Sequence, residues 1–278
     1  MNVSLIVNFE KKDAKAIATE VVKQLQEKCI HFFADRKTTE LLNFPNAAAV
    51  PDVFSVADVC VVIGGDGTIL HAAKRAALQK KPVLGVNAGR IGYLASVEKN
   101  ELSKLKALVS GDYKIEERTM LDVTLMSADS KTTLNAFNDA VISKGALSRM
   151  IDMELFVDRH RLRYRSDGLI ISTATGSTAY SLSAGGPVMD PRVDNIVLTP
   201  ICPYTYFTRT LVIPSDSNMM ISVDLGNNKE AYLTIDGEVA LPIGSRDKIK
   251  ITRSDTRVKL ISLDDQSIYD CLERKIQL

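Results

Sequence analysis

The stretch VCVVIGGDGTILHAAKRAA, residues 59–77, joins an unbroken apolar run to a glycine-rich turn and then to a helical pattern. Residues 59–63 show no polar alternation, as expected of a parallel strand covered on both faces. After the turn, Ile69, Leu70, Ala73, Ala76 and Ala77 recur at helical spacing and make one apolar stripe. A strand that runs through Gly64-Gly65-Asp66-Gly67-Thr68 into a helix is half of a βαβ unit. Its loop lies at the C-terminal end of a parallel strand, where open α/β sheets hold their ligands. The neighbouring segments repeat the alternation. They are the β-branched VSLIV (residues 3–7), the amphipathic DAKAIATEVVKQLQEK, a strand near residues 30–33, VLGV (residues 83–86) and a helix near residues 101–110. A loop is predicted across residues 44–52, which contain Pro45 and Pro51. The reading is an α/β domain with a Rossmann-like parallel sheet.

Beyond about residue 114 the texture changes. The runs LDVTLM, NAFNDAVIS, DMELFVD, RLRYRSDGLIIST, NMMISVDL, AYLTIDGEVAL, DKIKITRS and VKLISL alternate and are separated by turn residues. That pattern predicts an antiparallel, all-β domain. The closing SIYDCLERKIQL is helical in pattern, and an isolated helix of that length is marginal in water, so it is expected to return to the first domain. The expected division is residues 1–116 with 264–278, and residues 117–263.

Composition excludes several classes. Among 278 residues, Lys+Arg of 35 against Asp+Glu of 34 leave a formal charge of +1, so no basic field points to nucleic acid or an anionic membrane. No stretch approaches the roughly 18 apolar residues of a membrane span, and the apolar run in MNVSLIVNFEKKD is too short for a signal peptide. Cys29, Cys60, Cys202 and Cys271 lack C-x-x-C spacing, and the three histidines are scattered. Neither a disulfide framework nor a protein-built metal cluster is expected. The chain reads as cytoplasmic.

The loop residues carry the chemistry. Gly64, Gly65 and Gly67 allow close backbone approach, the amides of the helix start favour phosphate, and Thr68 is the expected N-cap. Asp66 cannot cradle a phosphate itself, because two anions repel. It can accept a proton from an attacking hydroxyl or help hold a magnesium ion that bridges phosphates. The alternative is a tight turn whose aspartate caps the helix. No G-x-x-x-x-G-K-[ST] and no G-x-G-x-x-G after a strand occur, which excludes a P-loop and a Rossmann redox site. GVNAGRIGYL, residues 85–94, supplies a second glycine loop on the same sheet edge. His71, one turn into the helix, suits either packing or phosphate contact.

A second constellation lies in YRSDGLIISTATGSTAYSLSAGGPVMDP. Ser166-Asp167-Gly168 turns into a strand, and Ser177 is the expected N-cap of a short helix over residues 178–184, stopped by Gly185-Gly186-Pro187. Helical spacing brings Tyr180 near Ser183. A ring beside hydroxyls suits a nucleotide; the same residues also suit a capped structural helix with a core tyrosine. Asn138-Asp139 reads as a bulge or turn, or as a clamp for ribose hydroxyls. Arg161, Arg163 and Arg165 alternate along one strand and make either a solvated stripe or, at Arg165, a phosphate contact. Arg149 is a further candidate of that type.

Taken together, GGDGT, NAGRIGYL, FNDAVIS, DGLIISTATGSTAYSLSAGGP and DGE (Asp236 to Glu238) resemble the bacterial-type NAD kinases, in that order, from about residue 59 to residue 263. The resemblance implies an α/β domain followed by a β-sandwich-like domain, with NAD bound between them and its adenosine 2′-hydroxyl phosphorylated to give NADP. It implies ATP, or in some members polyphosphate, as donor with a divalent cation such as Mg2+, and a homodimer or homotetramer. Asp66 matches the family's proton acceptor and Gly67 its neighbouring contact. Asn138 and Asp139 match the substrate-binding pair. Thr178, Ala179, Tyr180, Ser181, Leu182 and Ser183 match the segment that holds the nucleoside, with Arg149, Arg165 and Asp167 as further contacts. The chain departs at Asp139, where Glu is commoner and reaches one methylene further, and at STATG, which lacks a proline that stiffens the loop. Because diacylglycerol and sphingosine kinases share the GGDGT loop, a lipid kinase is the enzymatic alternative, and a catalytically silent nucleotide-binding module the other.

Overall fold

A computed structural model describes residues 1–26, 30–43, 47–146, 149–204, 209–226, 230–264 and 268–276. The chain forms two compact units, Met1–Arg118 with Thr256–Leu278, and Thr119–Asp255.

The first unit alternates strand and helix: β1 (Asn2–Val7), α1 (Ala14–Gln26), β2 (His31–Ala34), α2 (Arg36–Leu42), β3 (Ala47–Ala49), α3 (Val53–Val56), β4 (Val59–Gly64), α4 (Asp66–Leu78), β5 (Pro82–Asn87) and α5 (Leu105–Ser110). The five strands are parallel, in the order β5-β4-β1-β2-β3. Every residue of β4 is buried, as its unbroken apolar run requires of a strand covered on both faces. Val59, Val61 and Ile63 join one core with Ile17, Val21 and Leu25 of α1 and with Leu105 and Leu108. On α4, Ile69, Leu70, Ala72, Ala73, Ala76 and Ala77 are buried, which is the stripe read from the sequence. Part of the expected loop over residues 44–52 is instead β3, bonded in parallel to β2. Main-chain pairing makes that strand, and a run of alanines carries no periodic signal for it. Residues 44–46 lie outside the described residues.

The second unit is antiparallel. It draws on β6 (Lys114–Met126), β7 (Lys131–Ala136), β8 (Asp139–Lys144), β9 (Ile151–Val157), β10 (His160–Ser166), β11 (Gly168–Thr173), α6 (Tyr180–Ser183), β12 (Asn195–Ile201), β13 (Leu211–Pro214), β14 (Met219–Asp224), β15 (Ala231–Ile235), β16 (Val239–Ile243) and β17 (Lys248–Ser262). One sheet runs β13-β12-β11-β8-β15-β16. The other runs β10-β9-β14-β17, with β6 pairing β17 and β7. Alternate residues of both meet in one core, among them Ile142, Ile171, Leu198 and Leu233 from the first sheet and Met153, Leu155, Ile221 and Ile249 from the second. The period-2 runs predicted the antiparallel strands, and their packing in two layers is the sandwich that the resemblance implied. The strands β6 and β17 carry the chain out of and back into the first unit, where the end of β17 pairs in parallel with β5 at Lys259 and Leu260. The final helix, α7 (Ile268–Ile276), follows and belongs to that unit. Among the described residues, no helix is long and apolar enough to cross a membrane.

Candidate active site

In the first unit, β4 ends at Gly64 and α4 begins at once, with Gly65 as its N-cap and Asp66 as its first residue. Thr68 is therefore not the cap. It sits in the first turn, where its Oγ1 accepts a hydrogen bond from Asn8 Nδ2 at 3.0 Å. The cap position falls earlier because extended Gly65 already presents the carbonyl that accepts from the Ile69 N–H, at 3.1 Å. No side chain bonds at that cap, so the first-turn amides of α4 keep their capacity for an anion.

Asp66 is half-buried and tied down. Its Oδ2 accepts the main-chain N–H of Tyr93 at 2.8 Å and its Oδ1 that of Leu94 at 3.2 Å. Both donors belong to the second glycine loop. That loop approaches so closely that a Cβ at Gly92 would lie 1.9 Å from Asp66 Oδ1. Asn87, at the end of β5, fixes the loop's beginning. Its Nδ2 donates to the Arg90 carbonyl (3.0 Å) and to Glu98 Oε2 (2.9 Å), and its Oδ1 accepts from the Gly89 N–H (2.8 Å). Burial, with Cys271 and Asp66 close by, holds the Tyr93 phenol above its ordinary pKa.

The two loops wall a cleft of about 830 Å³ lined by Asn8, Lys11, Gly65, Asp66, Gly67, Thr68, His71, Gly89, Arg90, Ile91 and Gly92. The volume is of the size that takes a nucleotide. The cleft joins one anchored carboxylate to the cationic side chains of Lys11 and Arg90, with exposed His71 at its wall. Such a set suits a polyphosphate whose charge is met on one side while a proton is accepted on the other. Lys11 and Asn8 were not legible in the sequence, because they reach the cleft from the far end of β1. The pairing of β1 with β4 brings them there.

In the second unit, a pocket of about 370 Å³ is lined by Asn138, Asp139, Val141, Ser143, Ala179, Tyr180, Thr234, Asp236 and Gly237. Asp236, left-handed at φ 50°, turns its carboxylate onto three successive amides. Its Oδ2 accepts from Phe137 N (2.9 Å), and its Oδ1 from Asn138 N (2.7 Å) and Asp139 N (3.0 Å). Behind them, Thr173 Oγ1 donates to the Phe137 carbonyl at 2.7 Å. The backbone of Gly176 packs so closely against Asn138 that a Cβ there would lie 2.2 Å from the Asn138 carbonyl oxygen. The pair Asn138-Asp139 is thus set by its backbone, and the DGE turn is the part that sets it.

The expected single helix over residues 178–184 is instead a 3₁₀ turn, Thr175–Thr178, followed by α6. Ser177 caps neither. It is buried, and its Oγ accepts the Met189 N–H at 3.0 Å. Ser181 is likewise buried against Thr199, with 2.8 Å between hydroxyls. Tyr180 is 47% exposed and lines the pocket with Ala179, so it is not a core tyrosine. Thr178 is half-buried, Leu182 and Ser183 are exposed, and none of the three lines the pocket. Asp167 pairs with Lys144 at 3.5 Å. Arg165 lies 3.8 Å from Asp152 and 5.5 Å from the Tyr204 ring centroid. Arg161 and Arg163 both meet Glu154, so the arginine stripe is an exposed, ion-paired face. Arg149 is exposed and outside the pocket. Among the described residues, no three His, Cys, Asp or Glu side chains converge to hold a metal ion.

The family profile described as the ATP-NAD kinase N-terminal domain matches residues 3–113, and that described as the ATP-NAD kinase C-terminal domain matches residues 137–263. The NAD kinase of Moorella thermoacetica is 37% identical over 277 residues, covering 99% of this chain and 89% of the relative. That of Geobacter metallireducens is 40% identical over 231 residues, covering 82% and 80%. Among solved structures, a yeast NADH kinase complexed with NADH superposes with a TM-score of 0.89 at 26% identity, covering 100% of this chain and 88% of that one. An Archaeoglobus fulgidus NAD kinase in complex with ATP gives 0.75 at 25% identity, covering 100% and 99%.

Proposed function

The chain belongs to the NAD kinase family, phosphotransferases that act on NAD, and from that premise we propose that Asp66 is the group that takes the proton from the adenosine 2′-hydroxyl. The observation that carries this is the seating of its carboxylate on two main-chain amides at the wall of a cleft that also holds Lys11 and Arg90. A carboxylate is a weak base for a sugar hydroxyl. It serves late, once bonding to phosphorus has acidified that hydroxyl, and a fixed position then matters more than basicity.

The first-turn amides of α4, with Gly64, Gly65, Gly67 and Thr68 around them, face the phosphates of ATP. Lys11, Arg90 and His71 supply charge or hydrogen bonds at the transferring phosphoryl group. The divalent cation enters with ATP as its phosphate counter-ion. In the second unit, Tyr180 offers a ring face for a base, while Asn138 and Asp139 bond sugar hydroxyls. Ala179 lines the pocket beside Tyr180, Thr178, Ser181, Leu182 and Ser183 carry the segment that presents the two, and Arg149, Arg165 and Asp167, outside the pocket, make outer contacts. The NADH and ATP bound in the two similar structures support a nicotinamide dinucleotide as acceptor and ATP as donor. The working form is a cytoplasmic homodimer or homotetramer.

The direct test is to incubate the purified protein with NAD, ATP and magnesium chloride and to assay NADP with an NADP-specific dehydrogenase. NADP should accumulate, and excess EDTA should stop it. No NADP, with NAD raising the melting temperature, would identify a silent binding module instead.

A further inference from the structure

Resting on the reading of Asp66 as proton acceptor, we propose that α7 is a positioning element for that carboxylate, acting through the pair Tyr93–Lys275. Asp66 takes its position from the loop whose amides it accepts, so whatever fixes that loop fixes the carboxylate. Residues 88–101 contain no helix or strand beyond one isolated bridge, Val97 to Val86. Asn87 holds the beginning of this loop, and main-chain bonds from Ser96 N to Gly85 O and from Asn87 N to Val97 O hold its end. The stretch between them contains the two amides that seat Asp66.

Three contacts reach this region from the C-terminal segment. The Ser96 hydroxyl donates to the Ile261 carbonyl at 2.5 Å, and Lys104 pairs with Asp264 at 2.6 Å. These anchor the chain as it leaves β17. The third contact lies in the middle of the loop: the Lys275 ammonium stands 3.7 Å from the centroid of the Tyr93 ring. A cation over an aromatic face within about 6 Å is attracted to it, more strongly when partly desolvated. Both residues are partly buried. Tyr93 is also the residue whose N–H makes the shorter of the two bonds to Asp66. Cys271, one turn before Lys275 on the same helix, has its thiol pushed up chiefly by burial, and Asp66 is among the charges it senses. One side chain of the last helix thus touches the residue whose amide seats the carboxylate. Neither side chain need meet substrate; both act through the backbone of Tyr93.

The test compares kcat, KM for NAD and for ATP, and melting temperature across Lys275→Ala, Lys275→Arg, Tyr93→Leu, Tyr93→Phe and the Lys275→Ala/Tyr93→Leu double variant, with Asp66→Asn as reference. Lys275→Ala and Tyr93→Leu should each lower kcat roughly three- to tenfold, the range expected of losing one cation–π contact, with both KM values within about twofold. The double variant should be no worse than the poorer single variant, since both break one contact. Arginine at 275, which restores the cation, and phenylalanine at 93, which restores the ring, should recover most of the loss. An inactive Asp66→Asn beside fully active Lys275→Ala and Tyr93→Leu overturns this inference alone. An active Asp66→Asn overturns the proton-acceptor reading and this inference with it. A fall in kcat that tracks melting temperature and is not rescued by arginine or phenylalanine shows a merely structural contact, and also overturns it.

Discussion

At the scale of single residues, each unit has a pocket beside an aspartate whose carboxylate bonds backbone amides. Asp66 is held by Tyr93 and Leu94, and Asp236 holds Phe137, Asn138 and Asp139. Hydrogen bonds from N–H groups to a charged acceptor are among the stronger ones available, so each aspartate fixes a loop and is fixed by it. For Asp66 the fit leaves no room for a side chain at Gly92. That glycine is not in the left-handed region, so an alanine there is opposed by space and not by backbone conformation. Gly92→Ala should displace the carboxylate or the loop and lower kcat by about 10²-fold or more, the lower end of what a positioned base contributes. Its melting temperature should fall by only a few degrees, because the core is untouched. Steady-state kinetics beside a thermal melt would check this, and a Gly92→Ala enzyme of wild-type turnover would contradict the close fit. The sequence pointed to two glycine loops on one sheet edge without indicating which glycine meets Asp66. The reason is physical: the loop's bond to Asp66, from the Tyr93 amide next to Gly92, spans 27 positions, and no local period encodes it.

At the scale of elements, the strands and helices with a clear period were legible, and the elements made by local competition were not. β4 and α4 followed from an unbroken apolar run and a 3.6-residue stripe. The caps assigned to Thr68 and Ser177 failed because both hydroxyls found partners elsewhere, in Asn8 and in the Met189 amide. A serine or threonine near a helix start is thus a donor and acceptor for the whole fold before it is a cap. Buried β4 also carries a pH signature. Burial, reinforced by Asp52 and partly offset by Lys81, pushes the Cys60 thiol up to about 12 from an ordinary 9.0. The sign follows from linkage: as pH rises past 9, the unfolded thiol ionises first while the folded one stays protonated, so native stability is lost between pH 9 and about 12. Each unit of pH in that window costs about 1.4 kcal/mol. Cys60→Ala loses some packing but escapes this term, so its stability deficit against wild type should shrink between pH 8 and pH 10.5. Urea melts of both proteins at the two pH values would test it; a deficit independent of pH would contradict the burial of that thiol.

At the scale of the whole molecule, the fold class was legible because each unit uses one period throughout, near 3.6 with buried strands in the first and 2 in the second. The return of the chain into the first unit was legible only as a terminal helix with nowhere else to bury its face. Its contacts with the Tyr93 loop were not, since Lys275 and Tyr93 are 182 positions apart (275 − 93). The nucleotide chemistry was legible as motifs. The arrangement around one of them, a carboxylate bonded to the amides of the second loop with Lys275 of the last helix over the Tyr93 ring, emerged only from the fold. The most direct measurement of that arrangement is the turnover of Asp66→Asn with NAD and ATP at saturation, beside a thermal melt. The expected kcat is reduced by about 10²–10⁴-fold in a protein that still melts cooperatively. A variant that keeps more than about a tenth of wild-type turnover would remove Asp66 from the chemistry, since a positioned base contributes far more than that.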